Sequence, residues 1–370
     1  MSINTAEFLN PVNTQTWENG RHLVRCVKVI QETHDVCTFT FGMGQPVLFF
    51  FKPGQFVTLE LEINGERVMR SYTISSSPSI PYSFSITVKR VPGGQVSNWL
   101  HENLQPGDQV AVHGPVGQFN CLDYPADKVL LLSGGVGITP VMSMARWWFN
   151  TDSEVDMVFA HSARTPRDLI YGHELEYMSS RIDNFRLHLI CERIDVGQSW
   201  SGYRGYLGRS MLELIAPDFL EREVFCCGPA PYMRAVRQLL EDAGFDMRHY
   251  HEESFGATPV KDIRQAEVHA DEAEIQEAEQ ELLETVEISF SDSGSSVGVV
   301  IGTNLNEAAL EAGVSIPKAC GMGICGACRV KVNTGKYHME HNGGITEEEI
   351  DAGYVLSCCT TVKGAMEVEY

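Results

Sequence analysis

The chain has 370 residues, and 28 basic against 49 acidic side chains leave a formal net charge of −21. At about 100–200 residues per domain that length predicts two or three domains, and so acidic a balance argues against a nucleic-acid binder, whose footprint is basic. No apolar run approaches the roughly 20 residues that span a bilayer, the start of the chain lacks the basic, apolar, small-residue order of a secretory signal, and eleven cysteines, an odd number, argue against a disulfide framework; the expected location is cytoplasmic.

Residues 1–20 read as an N-terminal tail. From 21 to 123, short β segments are broken by Gly and Pro, with candidates at Leu23–Ile30, Cys37–Phe41, Phe56–Ile63, Tyr82–Arg90 and Gln109–His113. Frequent turn signals without a helical period predict a β-barrel or sandwich. Two stretches in this region suit a flavin. In Arg70-Ser71-Tyr72-Thr73 the guanidinium can hold a pyrophosphate bidentately, the Tyr72 ring can lie on a flat heteroaromatic system, and the Thr73 hydroxyl can reach the ring edge near N5. In Gly93-Gly94-Gln95-Val96-Ser97-Asn98, Gly94 lets backbone approach phosphate, and the N–H groups at Val96 and Ser97 can open a helix there.

Residues 124–256 change character. Apolar runs at Lys128–Leu132, Val155–Ala160, Phe185–Cys191 and Glu223–Cys227 alternate with helical stretches at Pro140–Asn150 and Ala230–Ala243, which predicts an α/β domain on a parallel sheet. The first apolar run passes into Ser133-Gly134-Gly135-Val136-Gly137-Ile138-Thr139-Pro140. Such a glycine loop brings backbone N–H groups to a pyrophosphate at a helix start, and Pro140 suits the first turn. It is not the G-x-G-x-x-G fingerprint. No acid ends the run Val155–Ala160 to take a ribose 2′-OH. Ser162 and Arg164 stand there instead, so NADPH is not excluded as the donor beside NADH.

The stretch 257–285 carries nine acidic and two basic residues and no aromatic one, and reads as an interdomain linker. Residues 286–370 form a small module. A hairpin over Val286–Ile301 is predicted, then a helix capped by Asn304 with Glu307 completing a capping box, and a second start at Thr346 with Glu349. Between them lies Cys320-Gly-Met-Gly-Ile-Cys325-Gly-Ala-Cys328, a C-x4-C-x2-C spacing, with Cys358 following after 29 intervening residues. This is the plant-type [2Fe–2S] spacing. Three thiolates from one tight loop need small neighbours so that N–H groups reach sulfur, and Gly321, Gly323, Gly326 and Ala327 supply them. A structural zinc site would favour paired C-x2-C knuckles or histidines. Cys358 and Cys359 compete for the fourth position.

With these motifs, the chain resembles the ferredoxin–NADP reductase superfamily joined to a plant-type ferredoxin domain. The Arg-Ser-Tyr-Thr box, the Gly-Gly-Gln-Val-Ser loop, the turn Gly114–Gly117 and the box Cys226-Cys227-Gly228-Pro229 carry the likeness. It implies a multidomain protein: an antiparallel β-barrel flavin domain, an α/β parallel-sheet nicotinamide domain, and an α+β β-grasp ferredoxin domain. It implies FAD rather than FMN, held by Arg70, Ser71, Tyr72, Thr73, Val88, Gly94, Val96 and Ser97. The dinucleotide would be held by Gly134, Gly135, Gly137, Thr139, Pro140, Cys227, Gly228 and Pro229. Phe255 would cover the flavin face, and Thr73 and Cys227 would flank the reacting atoms. The segment Tyr354–Cys358 resembles the one that ends on the fourth ligand of ferredoxins, which selects Cys358 beside Cys320, Cys325 and Cys328. The order of domains is similar to the reductase components of Rieske-type oxygenases that demethylate glycine betaine or related quaternary amines, which implies NADH as donor and an oxygenase as acceptor. The NADH reductases of hybrid-cluster proteins are a second resemblance, and a ferredoxin-type redox-sensing module is the alternative outside enzymes.

Overall fold

The computed structural model describes residues 15–17, 20–253, 285–314, 316, 323, 326, 328–341 and 344–370. They fall into two units, one within Met1–Phe255 and one within Gly256–Tyr370. The segment read as a linker lies outside the described residues apart from Thr285, as do Phe255, Cys320 and Cys325.

The first unit opens with β1 (Gln15–Thr16), β2 (Gly20–Thr33), β3 (Val36–Gly42), β4 (Val47–Leu48), β5 (Phe56–Ile63), β6 (Glu66–Thr73), β7 (Ser83–Lys89), helix α1 (Gln95–Asn103) and β8 (Gln109–Val116). Six of these strands form one antiparallel sheet in the order β6-β5-β8-β2-β3-β7. A bridge between Ile74 and Ile86 joins the two edges, so the sheet curls into the barrel that the turn-rich sequence predicts. Phe39, Phe41, Leu59, Phe84 and Ile86 fill its interior. Trp17, from the stretch read as tail, is buried against this core, and its indole N–H donates to the Gly114 carbonyl at 2.8 Å.

The box Arg70–Thr73 belongs to strand β6, which the sequence reading did not mark. Its signal was present: Asn64-Gly65, both at positive φ (56° and 80°), is the two-residue turn that matches strand twist. The β5–β6 hairpin sets the box in register, with Phe56 opposite Thr73 and Leu59 opposite Arg70.

The unit continues with β9 (Lys128–Gly134), α2 (Ile138–Asn150), β10 (Asp156–Ala163), α3 (Gly172–Ser179), β11 (Phe185–Cys191), β12 (Tyr203–Arg204), α4 (Arg209–Ile215), β13 (Glu223–Cys227), α5 (Ala230–Asp242) and β14 (Tyr250–Glu253). Their sheet is parallel throughout, in the order β12-β11-β10-β9-β13-β14. Val129–Leu132 are all fully buried, as a strand covered on both faces requires. The chain leaves β9 toward β10 on one side and returns to β13 on the other, which places a switch point at the carboxyl ends of β9 and β13. At the opposite end the buried Arg222 guanidinium bonds Asp218 (2.7 Å), Asp156 (2.8 Å) and the Val129 carbonyl (3.1 Å), tying three elements together.

The second unit contains β15 (Thr285–Phe290), β16 (Ser295–Val300), α6 (Leu305–Glu311), β17 (Arg329–Met339), α7 (Glu347–Asp351), β18 (Tyr354–Leu356) and β19 (Thr360–Glu369). The sheet runs β16-β15-β19-β17-β18, with β15 and β19 parallel and the other pairs antiparallel. Leu305, Ala308 and Ala309 of α6 pack on it, giving the α+β fold expected. The capping box at Thr346 forms with Glu349. The one expected at Asn304 does not: its side-chain oxygen accepts from the Asn306 N–H, two residues on, because its amide group is turned toward the Cys358 carbonyl. Among the described residues, no helix is long and apolar enough to cross a membrane.

Candidate functional site

Thr73 ends β6 with its side chain buried, and its hydroxyl donates to a Glu253 carboxylate oxygen at 3.4 Å. Glu253 ends β14, where it is the register partner of Cys227 at the end of β13. Residues from the flavin box and the nicotinamide box therefore converge on one carboxyl group. Burial pushes that carboxyl up to about 8, so it stays protonated at neutral pH. Burial, then the neighbouring Glu253, raises the Cys227 thiol well above its ordinary value, so it is neutral and not a thiolate nucleophile. A hydroxyl, a neutral thiol and a protonated carboxyl make a junction fit to shape and polarise, with no net charge of its own.

The rest of the flavin box is ordered by the barrel. The Ser71 and Thr58 hydroxyls share a hydrogen bond of 2.8 Å across β5 and β6. Tyr72 is half-buried against the core, and burial raises its phenol. Arg70 is exposed on the same strand. Val88 on β7 is buried, and its carbonyl meets His101 Nε2 at 2.9 Å. Gly94 precedes the first turn of α1. A Cβ there would lie 2.7 Å from Ser97 Oγ and 3.1 Å from the Val91 carbonyl, so a larger residue would have to displace the Ser97 hydroxyl. Val96 and Ser97 are buried in that turn, and the Ser97 hydroxyl accepts from the Val91 N–H at 3.2 Å. This close-packed cradle, with helix N–H groups at its lip, fits a phosphate-bearing flavin.

The nicotinamide motifs form the switch point itself. Gly135–Gly137 make a single tight turn between β9 and α2, and Thr139 and Pro140 are buried in the first turn of that helix. A Cβ on Gly137 would stand 2.4 Å from the Cys227 carbonyl oxygen and 2.5 Å from Gly228 Cα. The two boxes thus pack backbone to backbone, with Pro229 capping α5. Beside them the buried His161 Nε2 has no hydrogen-bond partner, and the buried Ser162 Oγ and Tyr232 hydroxyl have none beyond each other. Ser162 is the register partner of Gly134, and the Tyr232 ring packs on Gly134. Burial lowers His161 to about 4, so it is neutral, with Nδ1 at 2.9 Å from the Ser133 hydroxyl. Orphaned polar atoms beside a glycine loop fit a ligand rich in hydroxyl and phosphate oxygens, as a dinucleotide is.

In the second unit Cys328 precedes β17 and Cys358 follows β18; both thiols are buried. The Ser357 N–H donates to the Cys328 carbonyl at 3.0 Å, which joins the two strand ends. Asn304 donates to the Cys358 carbonyl at 3.0 Å and Asn306 to the Ser357 hydroxyl at 3.0 Å, a support that no sequence motif announced. Gly323 and Gly326 adopt left-handed φ of 68° and 69°, the backbone a tight ligand loop needs. Cys359 is partly exposed, and its thiol donates to the Leu356 carbonyl at 3.4 Å. Soft, buried thiols on linked strand ends suit an iron–sulfur centre.

Three family models match the chain. They are an oxidoreductase FAD-binding domain over residues 24–121, an oxidoreductase NAD-binding domain over 131–238, and a 2Fe-2S iron-sulfur cluster binding domain over 288–363. The chain is 64% identical over 370 residues to a glycine betaine monooxygenase reductase subunit of Pseudomonas aeruginosa (strain UCBPP-PA14), covering 99% of this chain and 100% of that one. It is 42% identical over 355 residues to a stachydrine N-demethylase reductase subunit of Rhizobium meliloti (strain 1021), covering 95% and 97%. The flavohem-like FAD/NAD binding domain of nitric oxide dioxygenase from Vibrio cholerae superimposes with a TM-score of 0.58 at 23% identity, covering 65% of this chain and 100% of that one, a likeness of fold.

Proposed function

Because the chain belongs to the family of oxygenase reductases that join an FAD-binding, an NAD-binding and a 2Fe-2S domain, we propose that it carries electrons from NADH to a Rieske-type oxygenase that demethylates glycine betaine or a related quaternary amine. FAD, when bound, accepts hydride as an electron pair, and a [2Fe–2S] cluster passes electrons on singly. The chain's own residues provide the frame. Arg70, Ser71, Tyr72 and Val88 would hold the flavin, with Gly94, Val96 and Ser97 at its phosphates. Gly134, Gly135, Gly137, Thr139, Pro140, Gly228 and Pro229 would hold the dinucleotide. Thr73 and Cys227 would flank the reacting atoms, with Phe255 over the flavin face. Cys320, Cys325, Cys328 and Cys358 would ligate the cluster.

The observation that carries this reading is the meeting of Thr73, Cys227 and Glu253 at the switch point, because hydride transfer needs the flavin and nicotinamide boxes at one place. The substrate rests on what the relatives are named for. The odd count of eleven cysteines, which argues against a disulfide framework, supports a cytoplasmic location.

The decisive experiment is reconstitution. The holoprotein is mixed with a glycine betaine oxygenase, glycine betaine and either NADH or NADPH, and formaldehyde is measured. Formaldehyde formed faster with NADH is the expected result. A holoprotein that oxidises neither nicotinamide would refute the redox reading, and turnover confined to a different acceptor would refute the choice of partner.

A further inference from the structure

Arg146 belongs to neither cofactor box, yet it is largely buried where the barrel meets the parallel-sheet lobe. It sits on α2, the helix that starts directly after the glycine loop. Its Nε and Nη2 donate to the Glu174 carboxylate at 2.7 and 2.6 Å, a bidentate pair, and its Nη1 donates to the Ser75 carbonyl at 2.5 Å. Ser75 lies two residues beyond Thr73. Three residues earlier on the same helix, the Ser143 hydroxyl donates to the Ser76 carbonyl at 2.6 Å. Two side chains of α2 therefore hold the strap that leaves the flavin box.

Tyr171 secures this clamp from the other side. The Arg146 guanidinium lies 4.4 Å from the centre of its ring. Its hydroxyl enters the barrel wall, bonding Thr87 closely and Thr38 at 3.3 Å, and Thr87 in turn meets the Ser75 hydroxyl at 3.0 Å. Tyr171 is a bulky residue held at φ 59°, a left-handed conformation that costs free energy unless its surroundings compel it. Strain of that kind is kept where a fixed geometry matters. Burying a guanidinium is likewise unfavourable unless it is paired and hydrogen-bonded, and here each of its three nitrogens donates.

We propose that Arg146, locked by Glu174 and Tyr171, is a positioning residue for hydride transfer: through Ser75 it fixes the flavin box relative to the glycine loop. The inference rests on the reading of the preceding subsection and adds to it a residue that touches neither cofactor. Transfer between bound groups is steeply sensitive to displacement, with roughly 1 Å worth about 100-fold in rate. A clamp between the two boxes should therefore act on the transfer step more than on binding.

The test uses flavin-loaded full-length protein carrying Arg146→Gln, Arg146→Lys or Tyr171→Phe, mixed anaerobically with saturating NADH or NADH deuterated at the transferred position. Flavin reduction in Arg146→Gln is expected to slow by about 10-fold or more. The long-wavelength absorbance of nicotinamide stacked on flavin should weaken and the isotope effect should change, while the NADH dissociation constant and flavin content stay near wild type. Arg146→Lys should recover part of the rate, and Tyr171→Phe should fall between. Should Arg146→Gln fail to hold flavin, Tyr171→Phe decides, since it removes one oxygen atom. Wild-type reduction rate and stacking absorbance in a flavin-loaded Tyr171→Phe or Arg146→Gln protein overturn the proposal. A wild-type holoprotein that NADH does not reduce would overturn the preceding reading instead.

Discussion

Glu253 is the residue whose chemistry the fold alters most. A carboxyl on a solvated strand end titrates near 4.5, but this one, enclosed between Thr73 and β13, is pushed up to about 8. It is neutral below that pH and ionises above it. A carboxylate at the junction opposes the negative charge that arrives with hydride, so NADH-driven flavin reduction is expected to decline as pH rises through about 8. In Glu253→Gln the decline should vanish, and stopped-flow rates from pH 6 to 9.5 check it. The same shift has a stability sign. A raised carboxyl favours the folded state at low pH, and that contribution fades as pH climbs from the unfolded value toward about 8. The flavin and glycine boxes stand out in the sequence because each is contiguous. The burial of Glu253 does not, because an acid at the end of a short strand looks like any solvated acid until the barrel meets it.

At the scale of elements, the molecule depends on two loops approaching closer than side chains permit. Gly137 marks that contact: its Cβ position is already filled by the Cys227–Gly228 backbone. Gly137→Ala must push the β9–α2 turn away from the end of β13. Overpacking of this kind costs about 1–3 kcal/mol, and a lower melting temperature is expected together with a loss of NADH-driven reduction larger than the loss of flavin. Equal NADH reduction in a folded Gly137→Ala protein would contradict the contact. Helix α2 was read from its apolar run and its Pro140, and the structure extends it by two residues to Ile138. Strand β6 escaped the reading although Asn64-Gly65 announces its hairpin, because its residues, Glu-Arg-Val-Met-Arg-Ser-Tyr-Thr, are too polar to show an apolar run. The cap at Asn304 differed from expectation for a tertiary reason, the pull of the Cys358 carbonyl on its amide.

At the scale of the whole molecule, the division of labour between the two units is the testable property. Cys358→Ser should abolish the cluster's visible absorption and delivery to the oxygenase, while flavin reduction by NADH in the first unit persists at near wild-type rate. Cys359→Ser should keep the cluster, because that thiol is satisfied by the Leu356 carbonyl. Iron and sulfide content with absorption spectra distinguish the two variants, and loss of the cluster in Cys359→Ser would exchange their roles.

By itself the sequence determined the three kinds of domain and the cofactor of each, because the motifs that announce them are local. A glycine loop, a C-x4-C-x2-C run and an Arg-Ser-Tyr-Thr box are each contiguous, and neighbours in sequence are visible in sequence. Only the tertiary structure decided which distant groups meet: Thr73 with Glu253 across 180 positions, Gly137 with Cys227, and Tyr171 with Thr87 across 84. The first and third follow from how a curled antiparallel sheet packs on a parallel one, and the second from the crossover that sets β13 beside β9. Packing is a property of whole surfaces, with no spacing rule to betray it.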